Sequence, residues 1–128
     1  MIIWIHKPFV RWSLFIVCLL VLLYGNFRPT PPPDLFKNSD KYGHVLVMIA
    51  VAISARMAIL GPPWYWFWPV TALGAFGLEF LQAALRPLRV FSIGDAYANL
   101  AGILVALLLV VIWHLAGRPY GMPETDSA

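Results

Sequence analysis

Apolar residues run along this chain in four long blocks, and the polar residues gather in short clusters at the ends of those blocks. The blocks extend from about Phe9 to Tyr24, Tyr42 to Leu60, Trp64 to Leu85 and Asp95 to Ala116. Crossing a bilayer takes roughly 20 predominantly apolar residues, within a range of about 17–25. The last three blocks meet that length, and the first meets it once its flank to Phe27 is included. The breaks between blocks are equally marked. Pro29, Pro31, Pro32 and Pro33 exclude helix between the first two blocks, because proline lacks an amide proton and clashes with the preceding turn. Gly61-Pro62-Pro63 forces a tight turn between the second and third. Pro87 and Gly94 punctuate the short connection from Arg86 to Gly94. The pattern predicts an all-α fold: a single domain over residues 1–128, with transmembrane helices at about 9–27, 42–60, 64–85 and 95–116. An even number of crossings puts both termini on the same side.

Composition points to lipid as the solvent. Of 128 residues, 61% are hydrophobic and 12% charged, whereas soluble domains carry roughly 25% charged residues. A soluble protein this small also lacks the interior to hide so much apolar surface. The formal charge of +3 is scattered, with no basic run to track a phosphate backbone, so nucleic acid is not an expected partner. Membrane lipids are. Cys18, the one cysteine, lies inside an apolar run and reads as a small hydrophobe. The first block has a basic flank in Lys7 and Arg11, but Leu23-Tyr24-Gly25-Asn26-Phe27 is a poor cleavage site, so a retained helix is expected. The aromatic run Trp64-Tyr65-Trp66-Phe67-Trp68 reads as an interfacial belt at headgroup depth, at the same face as Trp4, Trp12 and Trp113.

Four crossings bring the polar clusters together. Asp40, Lys41 and His44 open the second block; Glu79 and Gln82 close the third; Arg89, Ser92, Asp95 and Asn99 open the fourth. All belong to one membrane face, whichever way the chain is inserted. Residues three or four apart share a helix face, which aligns Asp40 with His44 and Glu79 with Gln82. Glu79 lies six residues before the end of its block, about 9 Å deep at a rise of 1.5 Å per residue. A carboxylate at that depth is costly without a partner; the candidates are Lys41, His44, Arg86 and Arg89. Ala98, Gly102 and Ala106 have the small-residue spacing that lets helices approach closely, so the fourth block is expected to pack centrally. On the opposite face, Arg56 is expected to snorkel to headgroups, and His6 and His114 to sit at the interface.

These clusters, in this order, resemble the VanZ-like family of small bacterial membrane proteins. The likeness is carried by Asp40, Lys41 and His44 in DKYGH, Glu79 and Gln82 in EFLQ, and Arg89, Ser92, Asp95, Asn99 and Gly102 in RVFSIGDAYANLAG. It implies a multi-pass protein of the bacterial cytoplasmic membrane and cell envelope. The family is named for a member linked to low-level resistance to the glycopeptide teicoplanin. The resemblance implies no reaction.

Three functions compete. In the first, the polar face binds an anionic amphiphile, such as a lipid headgroup, a lipid carrier or a lipopeptide, with Arg89, Lys41 and Arg86 holding its phosphate or carboxylate. In the second, the same residues are catalytic, with His44 oriented by Asp40 as general base and Glu79 or Asp95 as acid. The sequence offers that reading no convincing nucleophile, so it leaves open whether the protein is an enzyme. In the third, the clusters hold together a structural or partner-binding membrane subunit. No cofactor is expected, and one histidine with scattered carboxylates does not make a zinc set. Orientation is close to balanced. Arg28, Lys37, Lys41, Arg86 and Arg89 lie on one side, and Lys7, Arg11, Arg56 and Arg118 on the other. The first helix often dominates, which favours cytoplasmic termini.

Overall fold

The computed structural model describes residues 6–28, 35–85 and 92–117. Among them are four helices and no strand: α1 (Pro8–Phe27), α2 (Ser39–Ala58), α3 (Trp64–Leu85) and α4 (Ile93–Ala116). The proline-rich connection, Trp4, Arg86, Arg89 and Arg118 lie outside the described residues.

Local chemistry accounts for the helix ends. Pro8 occupies the first position of α1, where a missing amide proton costs nothing. Asn38 adopts a left-handed conformation (φ 61°) just before α2, which asparagine tolerates better than most residues. Asp40 in the first turn of α2 and Arg56 in its last complement the helix dipole. Ser92 caps α4, its hydroxyl accepting from the Asp95 amide at 3.3 Å. α2 therefore begins three residues earlier than the apolar pattern predicts, and α4 two residues earlier. The polar first turns of both helices are helical, not loop.

α2 and α4 form the central pair. Lys41 faces Asp95, His44 faces Asn99, and Gly102 lies against Val45 and Met48, so these two helices run parallel. Gly102 permits the approach. A Cβ there would stand 2.7 Å from Met48 Cβ and 2.8 Å from the Val45 carbonyl oxygen. Ala52, Ala98 and Ala106 are buried as well. α1 packs along α2, and α3 along α4 in the opposite direction.

Three helices, α1, α2 and α4, are long and apolar enough to cross a membrane. α3 is long enough, but its tryptophans, Pro69, glycines, Glu79 and Gln82 lower its mean hydropathy. The outer faces of the bundle are apolar throughout, with Leu20, Leu46, Leu73, Leu104 and Leu108 all exposed. An apolar surface this continuous is a liability in water and ordinary in lipid.

The aromatic run divides between surface and core. It occupies the first turns of α3, so its rings point around the helix. Tyr65 and Trp66 are exposed, while Phe67 and Trp68 are buried in the core and pack edge-on against each other at 5.1 Å.

Candidate functional site

At one end of the bundle, side chains from all four helices meet in a polar network. Five of them are almost completely buried: Asn26 at 3% exposure, Glu79 at 3%, Gln82 at 1%, Asp95 at 8% and Asn99 at 0%. Burial of polar groups is tolerable only where they are hydrogen-bonded, so the network can be followed bond by bond.

Asn99 is the centre. Its Nδ2 donates to the Ala75 carbonyl of α3 over a long 3.4 Å, and its Oδ1 lies 3.2 Å from His44 Nδ1 of α2. The Ala75 carbonyl can only accept, which fixes the amide orientation and leaves Oδ1 facing the imidazole. Nδ1 then carries the proton, and in the neutral ring Nε2 is the proton-accepting nitrogen. No hydrogen bond joins Asp40 to His44, so the orienting group is Asn99 and not the carboxylate expected from helical spacing.

Asp40 belongs instead to a charge trio. Lys41 Nζ lies 3.9 Å from Asp40 Oδ2 and 3.8 Å from Asp95 Oδ1. Both distances exceed the roughly 2.7–2.9 Å of a direct charge-assisted bond. Lys41 keeps 41% of its side chain exposed, whereas Asp95 keeps 11%. The lysine thus hangs between two carboxylates at the rim. Gly94 makes room for its stem, since a Cβ there would fall 2.9 Å from Lys41 Cε.

Glu79 and Gln82 tie α3 to its neighbours. Glu79 Oε1 accepts from the Ser92 amide at 3.2 Å, just before α4. Gln82 Nε2 donates to the Asn26 carbonyl of α1 at 2.8 Å. Gln82 Oε1 and Asp95 Oδ1 are buried and accept no hydrogen bond among the described residues. Buried acceptors of this kind take a donor, and for Asp95 Oδ1 the nearest cation among the described residues is Lys41 Nζ at 3.8 Å.

Beside the network lies a cavity of about 300 Å³ between α1 and α2, lined by Asn26, Ser39, Asp40 and His44 over Leu22 and Val47. Of the residues expected at the site, Asp40, Lys41, His44, Glu79, Gln82, Ser92, Asp95 and Asn99 are brought to this end of the bundle. Arg89 lies outside the described residues. Asn26 is a participant that the sequence pattern did not reveal. Its only signal is a lone amide within an apolar run, four residues after Leu22, whose carbonyl accepts from Asn26 Nδ2 at 2.8 Å. Among the described residues, no three His, Cys, Asp or Glu side chains gather as a metal set.

The opposite end is richer than expected. Arg56 bonds at the end of α2 and to the turn that follows it. Its Nη1 donates to Ile59 O at 3.3 Å and Pro62 O at 2.9 Å, and its guanidinium lies over Trp64 at 5.7 Å and Phe67 at 5.2 Å. His114 meets the same Trp64 ring edge-on at 5.3 Å. A cavity of about 690 Å³ opens at this end between α1, α2 and α4.

No protein-family model matches the chain, and no solved structure matches it. The chain is similar to an uncharacterized protein of Schizosaccharomyces pombe, with 28% identity over 115 residues, covering 80% of this chain and 63% of that protein. It thus spans less than two thirds of the length of the relative it matches.

Proposed function

We propose that this is a VanZ-like membrane protein with four spans and both termini on one side, whose polar end binds the headgroup of an anionic amphiphile. One observation carries the reading. Asn26, Glu79, Gln82, Asp95 and Asn99, drawn from three helices around His44 of the fourth, are buried at one end of a bundle whose outer surface is apolar. Polar and ionisable groups held inside a membrane bundle are costly, and they mark binding or relay sites by default.

The arrangement sharpens the ligand. Lys41 and Arg89 are the cations offered to its phosphate or carboxylate. Lys41 already faces Asp40 and Asp95, so Arg89 carries the larger share. The acceptors Asp40, Asp95 and Gln82 Oε1 suit a headgroup that also bears hydroxyl or amine donors. A lipid, an isoprenoid phosphate carrier or a lipopeptide all fit that chemistry. Location in the bacterial cytoplasmic membrane, cytoplasmic termini and a role in resistance rest on the family resemblance and the basic-residue balance alone. The fission-yeast relative weighs against a purely bacterial setting.

Native mass spectrometry of the detergent-purified chain tests the reading. The wild type should carry a co-purified amphiphile, and Arg89→Ala and Glu79→Gln should each lose it while remaining folded. Retention of the same mass adduct by both variants would sink the proposal.

A second reading is favoured by the imidazole geometry. With Nδ1 held by Asn99, His44 presents Nε2 as a base next to a cavity, so the bound amphiphile could be a substrate. Under that reading, His44→Gln retains the ligand but abolishes its turnover.

A further inference from the structure

We infer that the cavity at the opposite end of the bundle is a second ligand site, which holds the phosphate headgroup of an anionic phospholipid drawn from the surrounding bilayer. The inference rests on the membrane reading above but not on the polar end. The cavity measures about 690 Å³, within the roughly 300–1,000 Å³ of small-molecule sites. Its walls are aliphatic, with Ile53 and Leu109 among them, and its rim holds His6, Arg11, Arg56 and His114. Among the described residues no carboxylate lines it.

Arg11 decides the sign of the ligand. Arg56 and His114 stand in the last turns of α2 and α4, where cations answer the carbonyl ends of the helices. Both therefore have a structural reason to be there. Arg11 has none. It sits four residues into α1, at the helix end that disfavours a cation. Its Nε is shielded from solvent and has no hydrogen-bond partner, and Arg11 makes no ion pair among the described residues. A guanidinium left in this state at a lipid-facing surface needs an anion. Arg56 adds capacity, because its hydrogen bonds leave from Nη1 alone, out of five donors spread over three nitrogens. Trp113 and the Arg56–Trp64–His114 stack supply amphipathic rings of the kind that settle at headgroup depth. An acyl chain descending from the phosphate meets the aliphatic wall. An aqueous anion would leave that wall unused.

The test uses the full chain in phosphatidylcholine nanodiscs doped with phosphatidylglycerol, with retained lipid read by native mass spectrometry. The wild type should retain phosphatidylglycerol over phosphatidylcholine by about tenfold, the worth of one charge-assisted contact. Arg11→Gln should remove the preference, and Arg11→Lys should keep most of it. Because Arg11 makes no hydrogen bond or ion pair among the described residues, neither change should disturb helix content or the unfolding midpoint. Lys41→Ala alters the polar end and should leave the Arg11-dependent part of the preference in place. An undiminished preference in Arg11→Gln overturns the inference. So does its loss in Lys41→Ala alone, which assigns the lipid to the polar end instead. Release of the chain from native membranes by a carbonate wash overturns the membrane reading and this inference with it.

Discussion

His44 on α2 and Asn99 on α4 meet with Nδ1 3.2 Å from Oδ1, fifty-five residues apart in sequence, and together with the Asn99 bond to the Ala75 carbonyl this contact orients the imidazole. Asn99→Ala leaves the His44 Nδ1 without its partner and removes the added bond to the Ala75 carbonyl. The expected loss is about 1–2 kcal/mol, the cost of stranding buried polar groups. A double-mutant cycle with His44→Ala should return a coupling of about 0.5–1.5 kcal/mol, the range of interhelical bonds in membranes. Unfolding in mixed micelles measures both. Strict additivity of the two single changes would show that the bond is not made.

Gly102 and Gly77 should respond to alanine in opposite directions. At Gly102 the new Cβ collides with Met48 Cβ at 2.7 Å and the Val45 carbonyl oxygen at 2.8 Å. A backbone carbonyl in a packed helix cannot swing aside, so α2 and α4 must separate. The expected cost is about 1–3 kcal/mol. Gly77 is exposed on α3, and a Cβ there meets nothing within 4 Å. Gly77→Ala should be neutral or stabilising by up to about 1 kcal/mol through helix propensity. Thermal unfolding of the two variants in one detergent makes the comparison, and equal midpoints would refute the close α2–α4 approach.

Glu79 anchors the start of α4 through the Ser92 amide, 3.2 Å from Oε1. Glu79→Gln keeps an acceptor oxygen at that position, whereas Glu79→Ala removes it. Hydrogen exchange at the Ser92 amide should therefore be near normal in the first variant and about tenfold faster in the second, the equivalent of one net hydrogen bond. Equal acceleration in both would mean that the charge, and not the acceptor, holds the loop. Any ligand readout that is lost in Glu79→Gln while exchange at Ser92 stays slow belongs to the site and not to the fold.

Much of this architecture is legible in the sequence because proline and glycine bracket the apolar blocks. α3 spans Trp64–Leu85, the bounds that Pro63 and the end of the apolar run imply. Helix starts are harder to read where the first turn is polar: Ser39, Asp40 and Lys41 precede the apolar block and are helix. The site is legible as a set of residues but not as a set of bonds. Helical period places Asp40 and His44 on one face, yet each finds its partner elsewhere, Asp40 at Lys41 and His44 across the α2–α4 contact at Asn99. Cross-helix register is set by close packing at Gly102, and a period within one helix carries no information about it. The cationic cavity at the other end was hidden for the same reason. Arg11, Arg56 and His114 are far apart in sequence, and each looks like an ordinary interfacial residue until the helices are assembled.

The status of α3 decides how many times the chain crosses. α3 is not among the helices that are apolar enough by composition to cross a membrane, because Trp64, Tyr65, Trp66, Trp68, Pro69, Glu79 and Gln82 all lie within it. An average over the whole helix ignores which side each residue takes. Glu79 and Gln82 are buried against α4 and α1, while Val70, Leu73, Phe80 and Leu81 form the exposed face. The surface offered to the surroundings is therefore more apolar than the helix as a whole, and a bilayer reads the surface. If α3 crosses with the others, three crossings separate Ser39 from Ser127, which lies outside the described residues. With Cys18 replaced by alanine, Ser39→Cys and Ser127→Cys variants in intact cells should react with a membrane-impermeant maleimide from opposite sides. Were α3 to lie outside the bilayer, only α2 and α4 would separate the two positions and both would label from the same side. That outcome would remove the four-span arrangement, and with it the reason for Glu79 to be buried among helices rather than left in water.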